Sequence, residues 1–238
     1  MTPKICVSIP VTSVAEAGNL AAEASERGAD YIEYRLDYLK NRVREFNELK
    51  SLLNAGETPK IATLRSREEG GLSNLDGEER FKVLCAAADL GFDLVDLELS
   101  IDDVEEKVST LKEKGVKVIV SKHFLNETPR RAVLKETMRA EIEAKADICK
   151  IISKAERWED NLKVLNFLAS ITGAVIEDVK IVCFAMGPLG KPSRILAPYF
   201  GSLYTYASVG RGLQTAPGQI SIEELLHVYK VMFSEAEA

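Results

Sequence analysis

The chain has 238 residues, 46% of them hydrophobic and 29% charged, with a formal net charge of −6. That composition is of an ordinary globular chain long enough for one large core. The acidic balance, with no basic stripe, excludes the electrostatic footprint of a nucleic-acid binder. No apolar run approaches membrane-spanning length, and Met1-Thr2-Pro3-Lys4-Ile5-Cys6 has no signal-peptide pattern, so the expected setting is cytoplasmic with no membrane partner. Cys6, Cys85, Cys149 and Cys183 are far apart in apolar segments and read as reduced core residues; with only His123 and His227, no metal spacing is present.

The chain repeats one theme, an apolar strand followed by an amphipathic helix. Strand-like runs lie at about 4–10, 30–36, 60–65, 93–99, 116–123, 147–152, 179–186 and 202–208. Helical patterns lie at about 13–27, 42–54, 77–90, 102–114, 129–145, 157–172 and 221–234, with a shorter one at about 193–200. Such alternation without a low-complexity linker predicts one (β/α)₈ TIM barrel, an α/β fold, as a single domain over residues 1–238. An open doubly wound sheet is the second choice, but its usual Gly-rich phosphate turn is missing from Pro10-Val11-Thr12-Ser13.

Barrel enzymes carry their chemistry at the C-terminal strand ends. The second strand puts Glu33 and Arg35 on one face, and the third ends in Arg65 on the face of Thr63, with Glu68, Glu69, Gly70 and Gly71 following. The fourth aligns Asp96 with Glu98, and the fifth aligns Ser121 with His123. The sixth, Ala146-Asp147-Ile148-Cys149-Lys150-Ile151-Ile152-Ser153, sets Lys150 on the face of Ile148 and Ile152. A lysine there is snorkelling, paired with a carboxylate, or desolvated toward a neutral amine that attacks carbonyls. The seventh ends at Phe184-Ala185-Met186-Gly187. After the eighth comes a glycine-bearing loop, Val209 to Gln219, able to fold over a ligand. Ordinary explanations are preferred for several charges: Asp96 in an ion pair within a barrel layer, Asp37, Arg67 and Glu68 in solvent, and His227 as a packing or surface residue.

An amine and a histidine at one barrel mouth suggest carbonyl chemistry through an iminium, with His123 exchanging the proton on the neighbouring carbon. Adjacent arginines imply an anionic substrate, most simply a carboxylate. β-Elimination of water and aldol cleavage both fit these residues.

Several segments, in order and at successive strand ends, resemble type I 3-dehydroquinate dehydratase. They are Glu33-Tyr34-Arg35-Leu36-Asp37, Thr63-Leu64-Arg65 with Glu69-Gly70-Gly71, Ser121-Lys122-His123, Asp147-Ile148-Cys149-Lys150-Ile151, Met186-Gly187 through Gly190 to Ser193-Arg194, and Ala216-Pro217-Gly218-Gln219. The resemblance implies a metal-free, cofactor-free hydro-lyase of the shikimate route to aromatic amino acids, a lyase that takes the small molecule 3-dehydroquinate to 3-dehydroshikimate. It implies that Lys150 is the Schiff-base lysine, His123 the general base and acid, and Glu69 the acidic loop residue that supports it. Arg194 is then the carboxylate-binding arginine, and Glu33, Arg35 and Arg65 position the substrate. Met186 packs beside the ring, and Thr215, Ala216 and Gln219 close over it. Family members are often dimers, which makes a homodimer the expectation.

Two residues depart from the family pattern. Phe124 stands where Asp or Asn commonly follows the histidine, and Thr215 replaces a frequent serine. A class I lysine aldolase and a non-catalytic sensor of quinate-like ligands are the alternatives; the Arg194 motif and the Ala216–Gln219 loop disfavour the first, the Lys150–His123 pair the second.

Overall fold

The structure, a computed structural model, describes residues 3–39, 46–171 and 180–233. Among them, eight parallel strands form one sheet: β1 (Ile5–Pro10), β2 (Tyr31–Arg35), β3 (Lys60–Thr63), β4 (Leu94–Glu98), β5 (Lys117–His123), β6 (Ile148–Lys154), β7 (Lys180–Met186) and β8 (Thr205–Ala207). Its order is β8-β1-β2-β3-β4-β5-β6-β7. The helices are α1 (Val14–Glu26), α2 (Gly77–Leu90), α3 (Val104–Glu113), α4 (Arg131–Glu143), α5 (Asp160–Ile171), α6 (Lys191–Leu196) and α7 (Ile222–Phe233). The sheet curls into a nearly closed (β/α)₈ barrel, as the strand–helix alternation predicts. At the seam, Leu203 N donates to Ile181 O at 2.7 Å, and Cys183 N to Ser202 Oγ at 3.3 Å.

Strand alternation divides the side chains. Ile5, Val7 and Ile9, Val95 and Leu97, and Val118 and Val120 face the helices as core. The opposite positions fill the barrel interior. Cys6, Ile61, Leu94, Ile119 and Ile148 form its apolar base. One step further along each strand stand Ser8, Glu33, Thr63, Asp96, Ser121, Lys150 and Tyr206, and at the mouth stand Arg35, Arg65, Glu98, His123 and Met186. The register Ser121↔Lys150 sets those two residues side by side, and Glu98↔Ser121 offsets β4 from β5 by one such step.

Local chemistry sets the boundaries. Ser13 caps α1, and an Asp76–Glu79 capping box starts α2, which ends at left-handed Gly91. The expected helix at 42–54 is a 3₁₀ helix over Phe46–Asn54; residues 42–45 lie outside the described ones. Its buried Leu49 and Leu52 are three apart, the repeat at which 3₁₀ side chains eclipse. The short helix starts at Lys191 with Pro192 in its first turn, then tightens to 3₁₀ over Ala197–Phe200. β3 stops at Thr63 because Arg65 O and Ser66 O accept from Ser73 N and Gly71 N in the following loop. β8 is shorter than expected because residues 202–204 reach across to β7. Cys6, Cys149 and Cys183 are buried, Cys85 is half-buried, and all four are free thiols.

One buried group works against the fold. Glu141 on α4 has no exposed surface, and among the described residues its carboxylate oxygens make no full hydrogen bond and have a weak contact with the Cys149 thiol. Burial pushes its pKa well above the usual 4.5, with the Cys149 thiol offsetting only part of that. The native state therefore keeps a proton that the unfolded chain releases near pH 4.5, and stability declines as pH rises from there toward the native value. Replacing Glu141 with Met should raise the melting temperature at pH 7, by about 1–3 kcal/mol of stability, with a smaller gain at pH 4. Thermal denaturation at the two pH values checks this; no gain at pH 7 would show the carboxyl to be solvated.

Candidate active site

A cavity of about 330 Å³ opens at the C-terminal ends of the strands. Its lining includes all the residues expected to form a site: Glu33, Arg35, Arg65, Glu69, His123, Lys150, Met186, Arg194, Thr215, Ala216 and Gln219.

Lys150 is 3% exposed. Of the options open to a lysine on β6, the structure has the paired one. Nζ donates to Asp96 Oδ2 at 2.8 Å, to Glu33 Oε1 at 3.1 Å and to Tyr206 Oη at 2.8 Å. Burial alone would raise the Glu33 pKa, but Lys150, helped by Arg35 and Arg65, holds it below the usual carboxylate value. Burial likewise opposes the Asp96 charge, and Arg65 and Lys150 outweigh it further, keeping Asp96 firmly ionised.

The expectation for Asp96 holds and extends: it forms the expected ion pair, with Arg65 Nη2 at 2.8 Å, and its other oxygen accepts from Lys150 Nζ at 2.8 Å. Ser121 Oγ also donates to Asp96 at 2.6 Å. The expectation for Asp37 needs correcting. It is buried, not solvated: it takes Arg35 Nε and Nη2 in a bidentate pair at 2.8 Å and accepts from Leu72 N. A carboxylate two residues from an arginine at a strand end is folded back by the 3₁₀ turn Leu36–Tyr38, which periodicity does not reveal. Arg67, Glu68 and His227 are exposed, as expected.

Glu69 receives His123 Nδ1 at 2.9 Å, the His123 backbone N at 3.1 Å, Lys122 Nζ at 3.1 Å and Ser100 Oγ at 3.2 Å. Burial would raise its pKa, but His123, Arg65 and Lys122 bring it down to about 2. An ionised carboxylate only accepts, so Nδ1 carries the hydrogen and Nε2 keeps its lone pair. Burial and the nearby Arg65 and Lys150 lower the His123 pKa to about 4 against the pull of Glu69, so the imidazole is neutral at pH 7. Phe124 does not disturb this arrangement: its backbone N bonds Ile152 O, and Glu69 orients the ring.

The arginines differ in what remains free. Arg35 is engaged by Asp37 and by Thr215 O, and Arg65 by Asp96, Glu98 and Ser121. Arg194 on α6 is 1% exposed and lies over the Phe184 ring at 4.4 Å. Among the described residues, its guanidinium makes one hydrogen bond, from Nη1 to Tyr206 O at 3.4 Å, and Nε and Nη2 have none. Burial lowers its pKa to about 9. A buried guanidinium with open donors beside a cavity is a receptor for an anion.

The loop after β8 is docked on the barrel. Gln219 Oε1 accepts from Thr215 N at 2.7 Å, its Nε2 donates to Ser8 Oγ at 2.7 Å, and the Ser8 and Thr215 hydroxyls are 2.6 Å apart. Thr215 thus keeps the hydroxyl contact that a serine would make. Gly187 N donates to Pro217 O, and any Cβ on Gly218 would strike the Gly187 carbonyl. Ser8, Ser121 and Tyr206 were missed as site residues. Ser121 was legible from its alignment with His123; Ser8 and Tyr206 sit on β1 and β8, whose ends carry no charge to draw attention. Among the described residues, no group of three His, Cys, Asp or Glu is arranged to hold a metal ion, and no helix is long and apolar enough to cross a membrane.

Comparison with known proteins identifies the family. A dehydratase of Dehalococcoides mccartyi, named 3-dehydroquinate dehydratase, is 36% identical over 228 residues, covering 96% of this chain and 95% of that protein. Its namesake in Methanothermobacter thermautotrophicus is 38% identical over 223 residues, 94% of each chain. The crystal structure of 3-dehydroquinate dehydratase from Geobacillus kaustophilus superposes with a TM-score of 0.90 at 28% identity, covering 99% of this chain and 93% of that one. The type I enzyme from Clostridium difficile, crystallised with covalent modified comenic acid, gives 0.87 at 29% identity, covering 98% and 92%. The family model for type I 3-dehydroquinase matches residues 5–236, and the chain belongs to that family of lyases, which act in aromatic biosynthesis.

Proposed function

We propose that this chain dehydrates 3-dehydroquinate to 3-dehydroshikimate through a Schiff base on Lys150. The observation that carries the reading is the shared cavity: a buried amine, a neutral imidazole and a guanidinium with unused donors line one space. The covalent comenic acid in the Clostridium difficile structure agrees with covalent chemistry in this family.

Arg194 takes the C1 carboxylate, and this sets the C3 ketone near Lys150. Nζ adds to C3, and water leaves to give the iminium, which acidifies C2. His123 Nε2 removes a C2 proton, with Glu69 holding the ring and stabilising the imidazolium it becomes. The electron pair then expels the C1 hydroxyl, which takes the proton back from His123 and departs as water. Hydrolysis of the product iminium frees Lys150. Glu33 faces the ring hydroxyls as well as the amine. Arg35 and Arg65, with most donors engaged, act chiefly by holding their carboxylates and the loop carbonyl in place. Met186 packs on the ring, and Thr215, Ala216 and Gln219 cover it and exclude water. No cofactor, metal, nucleic acid or membrane enters this scheme. We place the enzyme in the cytoplasm, where its four free thiols stay reduced, and take it to be a homodimer as family members often are.

Borohydride reduction with 3-dehydroquinate, followed by digestion and mass spectrometry, should find the dehydrated adduct on Lys150. Lys150→Ala should lose the adduct and the turnover; near-normal turnover would reject the iminium. His123→Ala should still form an adduct on Lys150, now with the mass of the undehydrated substrate, while kcat falls about 10²–10⁴-fold. Arg194→Ala should weaken carboxylate binding by about 2–5 kcal/mol, and unchanged affinity would remove its assigned role. The base works only when unprotonated, so kcat/KM should hold from pH 7 downward and fall as pH passes through the His123 value of about 4. An acid limb near 6.5 would contradict the neutral, Glu69-held imidazole.

A further inference from the structure

We propose that the Tyr206 hydroxyl is a catalytic part of the lysine site, relaying a proton from Lys150 to Glu33 as the amine is readied for attack. This rests on the Schiff-base reading above.

The ammonium has three N–H groups, and each has one partner: Asp96 Oδ2, Glu33 Oε1 and Tyr206 Oη. An ammonium cannot attack a carbonyl; one proton must leave first. The two carboxylates only accept, whereas a phenol accepts and donates together. Tyr206 Oη accepts from Nζ at 2.8 Å and donates to Glu33 Oε1 at 2.9 Å, a chain shorter in each link than the direct 3.1 Å contact between Nζ and Glu33. Asp96 is the poorer acceptor, because Arg65 and Ser121 also hold it. In the relay an Nζ–H bond breaks as an Oη–H bond forms, and the original Oη–H bond breaks as the Glu33 carboxyl gains its proton. The products are a neutral amine, a neutral phenol and a carboxylic acid, and total charge is unchanged. Hydrolysis of the iminium runs the chain in reverse.

The surroundings suit a hydroxyl that passes protons without ionising. Cys6 on β1, Tyr204, Glu33 and Asp96 face Tyr206 from around the barrel, and Arg194 bonds its carbonyl. Burial first, then the Glu33 charge, push its own pKa well above 10, so it stays neutral. The ring is fixed by Phe184 at 6.1 Å and Tyr204 at 5.5 Å between centroids, which leaves the hydroxyl little freedom. Nothing in the ring-stacking role requires this oxygen.

The test is single-turnover formation of the Lys150 adduct, trapped with borohydride at timed points across pH 5–9, in the wild type, in Tyr206→Phe and in a chain with difluorotyrosine at 206. The relay predicts that Tyr206→Phe slows adduct formation by about 100-fold or more, with KM little changed. It also predicts that difluorotyrosine, with ring and hydroxyl kept but acidity changed, restores most of the rate and displaces its pH profile. An unchanged rate in Tyr206→Phe overturns the relay. So does a loss that difluorotyrosine restores with the wild-type pH profile, since the hydroxyl would then serve only as a spacer. If Tyr206→Phe fails to fold, the difluorotyrosine profile decides alone. Absence of any adduct in the wild type would instead defeat the Schiff-base reading itself.

Discussion

A buried ammonium is the constraint on which this barrel turns. Removing a charge from water costs several kcal/mol even after relaxation, so Lys150 is tenable only with its hydrogen bonds complete. Glu33 on β2, Asp96 on β4 and Tyr206 on β8 complete them. Each carboxylate then needs its own compensation. Thr63 donates to Glu33, and Arg65 and Ser121 donate to Asp96; Arg65 continues to Glu98, and Glu98 to Arg80. One lysine thus ties β2, β3, β4, β5, β6 and β8 into a connected polar network. A slip of one residue in any of them would turn that strand's contribution outward to the helices.

The layer is charge-satisfied at its centre and open at one edge. Arg35 and Arg65 spend their donors on Asp37, Asp96 and Glu98, while Arg194 spends a single long bond on a carbonyl. Burial without a carboxylate partner sets Arg194 apart from the other two arginines. In the function proposed above, that contrast orients the substrate, with its carboxylate on the open guanidinium and the opposite side of its ring toward Lys150 and His123. The cover over this space is held by small residues. Gly218 lets the Pro217 loop meet Gly187, and Gly71 lets the Glu69 loop fold against Arg65, where a Cβ would strike the Arg65 carbonyl. Glu69 is thereby brought to His123 across 54 residues of chain.

The sequence by itself determined the architecture. Periods of apolar residues report burial directly, and eight strand-like runs separated by amphipathic helices leave little besides a parallel barrel. It also grouped Lys150 with Ile148 and Ile152 and His123 with Ser121, because a two-residue period assigns side chains to a shared face without any knowledge of the partner. The motif from Glu33 to Gln219 located the remaining pocket residues through family likeness.

Only the tertiary structure decided how those charges pair. Asp37 looked like a loop residue until the 3₁₀ turn folded it under Arg35. Asp96 looked like a packing carboxylate until β4 and β6 brought it within 2.8 Å of Lys150. Tyr206 carried no charge to mark it, yet the curling of the sheet sets it beside a lysine 56 residues away in the chain. The physical reason is common to all three: periodicity is a local property of the chain, whereas hydrogen-bond partners across a barrel are fixed by strand register and sheet curvature, which no single segment contains.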